Sequence, residues 1–370
     1  MRSLAVAFPS VLRTNAHWRE HHPEMVARAE EHSLARLWGT REGSRAPTTV
    51  FEQTMMPYVE DPFRGTVERR LRAPGETAVS VEVRAAADAL AAAKLSVDDV
   101  DLALTASFPG DRFAVGDSAY IAEKLGLRAP AWNFESACSS SVVGLHMAHS
   151  LIRSGDYRRI LVVASTSNSV LCVDLDGLSW FTGDGAGAFV VEAAQDGSGV
   201  LGMKTINTVE TNDMFVIHST PRADGGTRLT SSASPHAGAM GRDTAEPYLR
   251  ACVDGALASA NVRASDVDFW VFNTPNAWYA DFCGQTLGIE PSRYLSVYAE
   301  YGNMGAALMP TTLHRALQTG RVGAGDLVVL YSIGSTSTAS AVVMRLGEIA
   351  LGAPPERPTT SDGPSMSSIL

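Results

Sequence analysis

Four cysteines in 370 residues, at positions 138, 172, 252 and 283, give no Cys-x-x-Cys pair and no Cys/His cluster at ligand spacing. A structural zinc site is therefore not expected, and neither is any other metal or cofactor. Cys172, Cys252 and Cys283 read as buried free thiols, which suits a reducing compartment and places the chain in the cytoplasm. Positive charge is scarce: 30 Lys and Arg stand against 40 Asp and Glu, for a net charge of -10. No basic run occurs, which argues against nucleic acid as a partner. No apolar stretch approaches membrane-spanning length, so no membrane is expected. The opening MRSLAVAFPS lacks the apolar core and cleavage site of a secretory signal, and Val6-Ala7-Phe8-Pro9 reads better as a first strand.

What is present is a globular composition, 45% hydrophobic and 19% charged, on a chain too long for one core. Two lobes are expected. The most telling residue is Cys138, in Asn133-Phe-Glu-Ser-Ala-Cys-Ser-Ser-Ser-Val-Val-Gly144. Small residues make a turn there, and a helix is predicted from Val142 to Arg153. A cysteine at a helix N-terminus feels a partial positive charge that favours the thiolate. A thiolate is a strong nucleophile for thioester exchange. The competing reading is a buried structural thiol.

The chain also repeats itself. Segment 90–107, LAAAKLSVDDVDLALTAS, is answered by 257–274, LASANVRASDVDFWVFNT. Each reads as an Ala-rich helix, a loop with Asp-Val-Asp and an apolar strand. YIAEKLGL at 120–127 is answered by FCGQTLGI at 282–289. A helix over 142–153 leads into a strand at 159–164, as a helix over 305–318 leads into one at 326–331. Three matched elements in one order mark an internal duplication, and nearly all-apolar strands between helices mark an α/β fold. The predicted organisation is an N-terminal half, 1–195, with an insertion near 20–80 capping a substrate channel, a C-terminal half, 196–350, and a disordered tail, 351–370. Segment 208–247, rich in Gly, Ser, Thr, Asp and Pro, reads as a long loop. Gly183, Gly185 and Gly187 read as a tight turn lining the site rather than as a phosphate loop. The duplication sets Asn303, in Tyr301-Gly-Asn-Met-Gly305, opposite Cys138, and brings Asn273 alongside from a strand end.

Ala137-Cys138 before its turn and helix, Phe181-Thr-Gly-Asp-Gly-Ala-Gly-Ala188, Tyr301-Gly-Asn303 and the closing strands from Tyr331 to Met344 together resemble the thiolase superfamily. The ketoacyl-ACP synthase III-like branch, including its natural-product acyltransferases, is the nearest likeness. The resemblance covers about residues 1 to 350. It implies a duplicated, five-layered αβαβα fold, a homodimer, and a cysteine taking acyl groups from acyl carrier protein or coenzyme A thioesters. Cys138 and Asn303 carry over from the family's Cys-His-Asn triad. The histidine does not: Asn273 stands in its place, in Val271-Phe-Asn273-Thr-Pro-Asn276, and Asn276 matches the later Asn of that motif. The resemblance also gives the turn at Gly334 and Ser335 a backbone N–H for an oxyanion, beside that of Cys138.

An amide donates to an oxyanion but moves no proton. The expected activity is therefore acyl transfer from Cys138 to a hydroxyl, amine or carrier thiol, in secondary-metabolite (polyketide) biosynthesis. Decarboxylative C–C condensation and a non-catalytic partner subunit are the alternatives. His218 and His236, in the predicted loop, are outside candidates for a base; His146 and His149 read as packing residues.

Overall fold

The computed structural model describes residues 1–31, 47–112, 114–172, 177–194, 197–221, 225–335 and 338–358. Its two main sheets repeat one strand order. The first sheet runs β14 (Ala350–Leu351), β1 (Ser3–Ala7), β7 (Asp184–Glu192), β6 (Arg159–Ser167), β4 (Leu102–Phe108) and β5 (Ala131–Asn133). The second contains β8 (Gly199–Asn207), β13 (Thr338–Arg345), β12 (Leu327–Ile333) and β11 (Phe269–Phe272). Thus β1-β7-β6-β4 is answered by β8-β13-β12-β11, each with two antiparallel pairings followed by a parallel one.

The layers follow from which face each apolar residue takes. Leu104, Val162 and Phe189 of the first sheet meet Val271, Leu330 and Val342 of the second across helices Ser140–Ser154 and Leu308–Gln318. The Ala78–Ala92 helix covers the outer face of the first sheet through Ala85, Ala86 and Ala89 against Leu161 and Val163. Helices Ala237–Ala260 and Tyr279–Leu287 cover the second through Leu249, Val253 and Phe282. Helix, sheet, helix, sheet, helix is the αβαβα thiolase fold.

The repeat is visible in single bonds. Asp101 Oδ2 accepts from the Arg159 N–H at 2.9 Å, and Asp268 Oδ2 from the Leu327 N–H at 2.8 Å. Each aspartate thereby pins the first residue of the neighbouring parallel strand. Gly126 (φ 76°) and Gly288 (φ 68°) end the paired short helices in the left-handed region, where glycine has no Cβ to strain.

The segment from Val11 to Leu71, which spans most of the predicted insertion, forms a ribbon, β2 (Val11–Thr14) with β3 (Glu68–Leu71), and helices Asn15–His21, Pro23–Glu31 and Val50–Met55. Residues 32–46 of it lie outside the described residues. Trp18, Val26 and Phe63 pack against Trp180 and Phe181. Arg69 is buried over the Trp18 ring at 4.4 Å and donates to the Trp180 carbonyl.

Three expectations require correction. Segment 208–247 is not a loop: it holds the hairpin β9 (Phe215–Pro221) and β10 (Thr227–Ala233) and the start of the Ala237–Ala260 helix. Its Phe, Val, Ile and Thr residues carry strand propensity that outweighs the polar composition. Gly183, Gly185 and Gly187 make no turn; Gly185 and Gly187 lie within β7 and Gly183 just before it. They are small because a Cβ at Gly183 would meet Tyr301 O at 2.1 Å and one at Gly187 would meet Pro310 Cγ at 2.3 Å. The tail begins ordered: the Gly352 N–H donates to Leu4 O at 2.8 Å, and Arg70 Nη2 to Glu356 O at 2.9 Å. Residues 359–370 of the tail lie outside the described residues.

Candidate active site

Cys138 lies in a 3-10 turn, Ala137–Ser139, that runs straight into the Ser140–Ser154 helix. The turn is strained, with Ala137 at φ 49°, a region that costs a residue bearing a Cβ about 1–3 kcal/mol. A carboxylate holds it. The N–H groups of Ser136 and Ala137 donate to Glu135 Oε1 at 2.9 and 2.6 Å, and Ser140 Oγ donates to the same oxygen at 3.1 Å. From β12, Ser332 Oγ donates to the Cys138 carbonyl at 2.7 Å. The hydroxyls of Ser136, Ser139 and Thr338 join the turn to β13.

The second half supplies the facing wall. Asn303 follows Gly302 (φ 64°) and bridges to Thr182, its N–H donating to Phe181 O at 2.7 Å. Asn303 Oδ1 accepts from the Gly305 N–H at 2.8 Å, which leaves Nδ2 without a protein partner among the described residues. Asn273, fully buried just after β11, donates from Nδ2 to Gly305 O at 3.0 Å, and its Oδ1 has no hydrogen-bond partner among the described residues. Gly305 itself faces the nucleophile: a Cβ there would lie 3.5 Å from Cys138 Sγ and 2.6 Å from Thr166 Oγ1. Thr166 Oγ1 accepts from the Ala306 N–H at 3.1 Å and so ties this wall to β6.

Cys138, Asn273 and Asn303 therefore converge on Gly305. Asn276 does not join them by a hydrogen bond; its carbonyl accepts from the Tyr279 N–H at 3.2 Å, ahead of the next helix. Gly334 is close, since a Cβ there would lie 2.6 Å from Ser136 O, but its N–H donates to Thr338 O at 2.9 Å. The hairpin thus uses the donor the resemblance assigned to an oxyanion. Ser335 stands half-buried beside it.

The electrostatics overturn one expectation. Cys138 is the only cysteine of the four that is not buried, yet its thiol is pushed from 9.0 up to about 12. Desolvation of the sulfur is the main cause, the Glu135 charge the second, and the residue's own N–H only partly opposes them. A helix end contributes about 0.3–1 kcal/mol, less than one pH unit, so burial wins. These causes favour the thiol over the thiolate. Burial of the carboxylate likewise raises Glu135 from its ordinary value, against its three hydrogen bonds.

No histidine reaches the site by a hydrogen bond among the described residues. His146 Nδ1 pairs with Thr205 Oγ1 at 3.2 Å. His218 is exposed on β9, and His236 is exposed at the start of the Ala237–Ala260 helix. His314, on the Leu308–Gln318 helix, is driven down to about 4 by burial and is neutral. The described residues hold no group of three metal-ligating side chains and no helix long and apolar enough to cross a membrane. A recess of about 1000 Å³ lies at the other end of β6, by Arg159, where Arg2 and Arg159 are both tied to Glu192. The cysteine instead occupies the end of the sheet where β4 and β6 finish, the usual place for chemistry in parallel sheets.

Residues 133–208 match the 3-oxoacyl-(acyl-carrier-protein) synthase III family, and residues 257–346 match the C-terminal part of the same enzymes. The β-ketoacyl-(acyl-carrier-protein) synthase III of Gloeobacter violaceus is 31% identical over 294 residues, 77% of this chain and 88% of that protein. The chain belongs to the ketoacyl-ACP synthase III family. Synthase III from Pseudomonas aeruginosa shares the fold with a TM-score of 0.74 at 24% identity, over 95% of this chain and 98% of that one. The priming β-ketosynthase of a polyketide pathway does so with a TM-score of 0.73 at 21% identity, over 94% and 95%.

The chain is accordingly an enzyme of the ketosynthase III family, with the thiolase fold. Sequence reasoning missed three of its site residues: Glu135, Thr166 and Ser332. Only Glu135 carried a signal, being an acidic residue three places before the nucleophile in an otherwise small and apolar run.

Proposed function

We propose that this enzyme is an acyltransferase: Cys138 takes an acyl group from acyl-ACP or acyl-CoA and passes it to a hydroxyl, amine or carrier thiol, within secondary-metabolite biosynthesis of the polyketide type. One observation carries the reading. Asn273 stands where the resembled condensing enzymes carry histidine, and its Nδ2 is hydrogen-bonded to Gly305 O at 3.0 Å. An amide held this way orients a carbonyl with its second N–H, but it neither takes nor gives a proton. In the same proposal Asn303 Nδ2 polarises the thioester carbonyl, the buried Asn273 Oδ1 accepts from the incoming X–H group, and Asn276, Gly334 and Ser335 line the substrate's path.

The matching strand orders support a division at residues 195/196. Cys138 then comes from the first half, and Asn273 and Asn303 from the second. A homodimer belongs to the proposal too: β5 ends its sheet, and Trp132 on it is 42% exposed. So does a cytoplasmic location, supported by four cysteines that form no disulfide among the described residues.

The deciding experiment supplies radiolabelled malonyl-ACP together with an acyl-ACP donor. Transfer of the acyl group without release of carbon dioxide is the expected result. Rapid release with a β-ketoacyl product would replace this reading with decarboxylative condensation.

A further inference from the structure

The side chain of Asn273 makes a single hydrogen bond among the described residues, from Nδ2 to Gly305 O at 3.0 Å. Where its amide stands therefore follows where Gly305 stands. Gly305 opens a 3-10 turn, Gly305–Ala307, that runs into the Leu308–Gln318 helix. The first N–H groups of such a turn find no acceptor within it. Met304, just before it, supplies none from its side chain. The Gly305 N–H goes to Asn303 Oδ1, and the Ala306 N–H goes to Thr166 Oγ1 at 3.1 Å. Among the described residues, the bond to Thr166 is the one hydrogen bond that joins this turn to the half of the chain carrying Cys138.

Thr166 lies near the end of β6 and is only 2% exposed. It also borders the flank of the sulfur. The Cβ position of Gly305 lies 2.6 Å from Thr166 Oγ1, 3.4 Å from Thr166 Cγ2 and 3.5 Å from Cys138 Sγ. Nucleophile, threonine and glycine thus meet around one point. A shift of the turn against β6 moves Gly305 past the sulfur, and moves with it the amide that its carbonyl holds. Asn303 depends less on this contact, because its N–H goes to Phe181 O and its carbonyl accepts from the Gly183 N–H.

We propose that Thr166 is a positioning residue of this site: its hydroxyl fixes the Gly305–Ala306 turn against β6 and so sets where the Asn273 amide stands relative to the Cys138 sulfur. The proposal rests on the reading that Asn273 acts on the thioester, and it adds what places that amide.

The test is a double-mutant cycle of Thr166→Val and Asn273→Ala, read as single-turnover acylation of Cys138 by an acyl-ACP donor. Valine keeps the shape of threonine and removes the acceptor. Thr166→Val should lower the limiting acylation rate by about 10-fold or more, towards the roughly 100-fold that a misplacement of about 1 Å costs. The donor concentration at half-maximal rate should not change. Added to Asn273→Ala, the valine should cost little more, since residues that act through one another are not additive. Thr166→Ser, which keeps the oxygen, should recover most of the rate. Thr166→Ala takes the place of the valine variant in the cycle if that variant does not fold. Losses that simply add would make Thr166 a support of the fold, and an unchanged limiting rate with weaker donor binding would make it a binding residue; either overturns the proposal. A slow Asn273→Ala beside an unimpaired Thr166→Val removes the proposal alone. Acylation by Asn273→Ala at the parent rate removes the reading of Asn273 and the proposal with it.

Discussion

Asn273 and Asn303 hold the same residue by its two backbone groups. Asn303 Oδ1 accepts from the Gly305 N–H at 2.8 Å, and Asn273 Nδ2 donates to Gly305 O at 3.0 Å. Between them they fix a glycine whose Cα faces the Cys138 sulfur. The two amides are thus structural for the site's wall as well as candidates for its chemistry. Substitutions that separate those roles are the informative ones.

Cys138 should be the residue that carries the acyl group. Incubation with acyl-ACP or acyl-CoA followed by peptide mapping should place the added mass on the Cys138 peptide. Cys172, Cys252 and Cys283 are buried and should remain unlabelled. Cys138→Ala should abolish turnover without lowering the melting temperature. Label on any other cysteine would refute the assignment.

Asn303→Asp keeps the oxygen that accepts from Gly305 and removes the N–H donor. Acylation should slow by on the order of 100-fold or more, as on loss of an oxyanion-type donor. Asn303→Ala should slow it as much and also lose stability, because the Gly305 N–H is then unpaired, a cost of about 1–3 kcal/mol. Equal acylation rates in Asn303→Asp and the parent enzyme would remove Asn303 from the chemistry.

Asn273→His tests the missing histidine. The imidazole can donate to Gly305 O as the amide does and adds a group that moves protons. Release of carbon dioxide from malonyl-ACP, followed with radiolabel, should rise from background in this variant. Asn273→Ala should slow acylation and gain no decarboxylation. A parent enzyme that already decarboxylates would contradict the premise.

Glu82 offers a pH test of stability on the helix that covers the outer face of the first sheet. It lies buried on the Ala78–Ala92 helix, accepting from Ser107 and Ser165 hydroxyls, and burial, helped by the nearby Asp117 charge, pushes it from 4.5 up to about 8. The folded protein therefore binds a proton there that the unfolded chain has released. Its contribution to stability is present below pH 4.5 and is lost as pH rises towards 8, with a slope of up to about 1.4 kcal/mol per unit. Asp184, raised from 3.8 to about 6 by burial, adds the same sign at lower pH. Glu82→Gln should remove most of the loss between pH 5 and 8 in thermal melts. A variant whose melting temperature parallels that of the parent across this range would show Glu82 ionised in the fold.

Much of this was legible in the chain. The Asp-Val-Asp repeats name the residues that pin β6 and β12, because a side chain that caps a strand start must sit at one offset from it in both halves. The Gly126 and Gly288 helix ends, the nucleophile turn at Cys138 and the Tyr301-Gly-Asn303 turn are local conformations dictated by small residues at fixed spacing. The apolar runs and the duplication gave buried strands in a repeated α/β fold; the layered arrangement was what the resemblance implied. Composition misled at 208–247, where β-branched and aromatic residues decided for a hairpin.

The properties of the sulfur, by contrast, were decided by the tertiary structure. A helix N-terminus can be read from sequence, but desolvation is set by whatever closes over the thiol, here walls drawn from both halves of the chain. Glu135 is sequence-adjacent, yet its hold on the nucleophile turn depends on the fold-back that sets one oxygen on the Ser136 and Ala137 N–H groups. The glycines of Gly183-Asp-Gly-Ala-Gly187 acquire their meaning from Tyr301 and Pro310, more than a hundred residues away in the chain. Spacing along the sequence determines which groups can repeat; only packing between the repeats determines which of them are dry, charged or free to react.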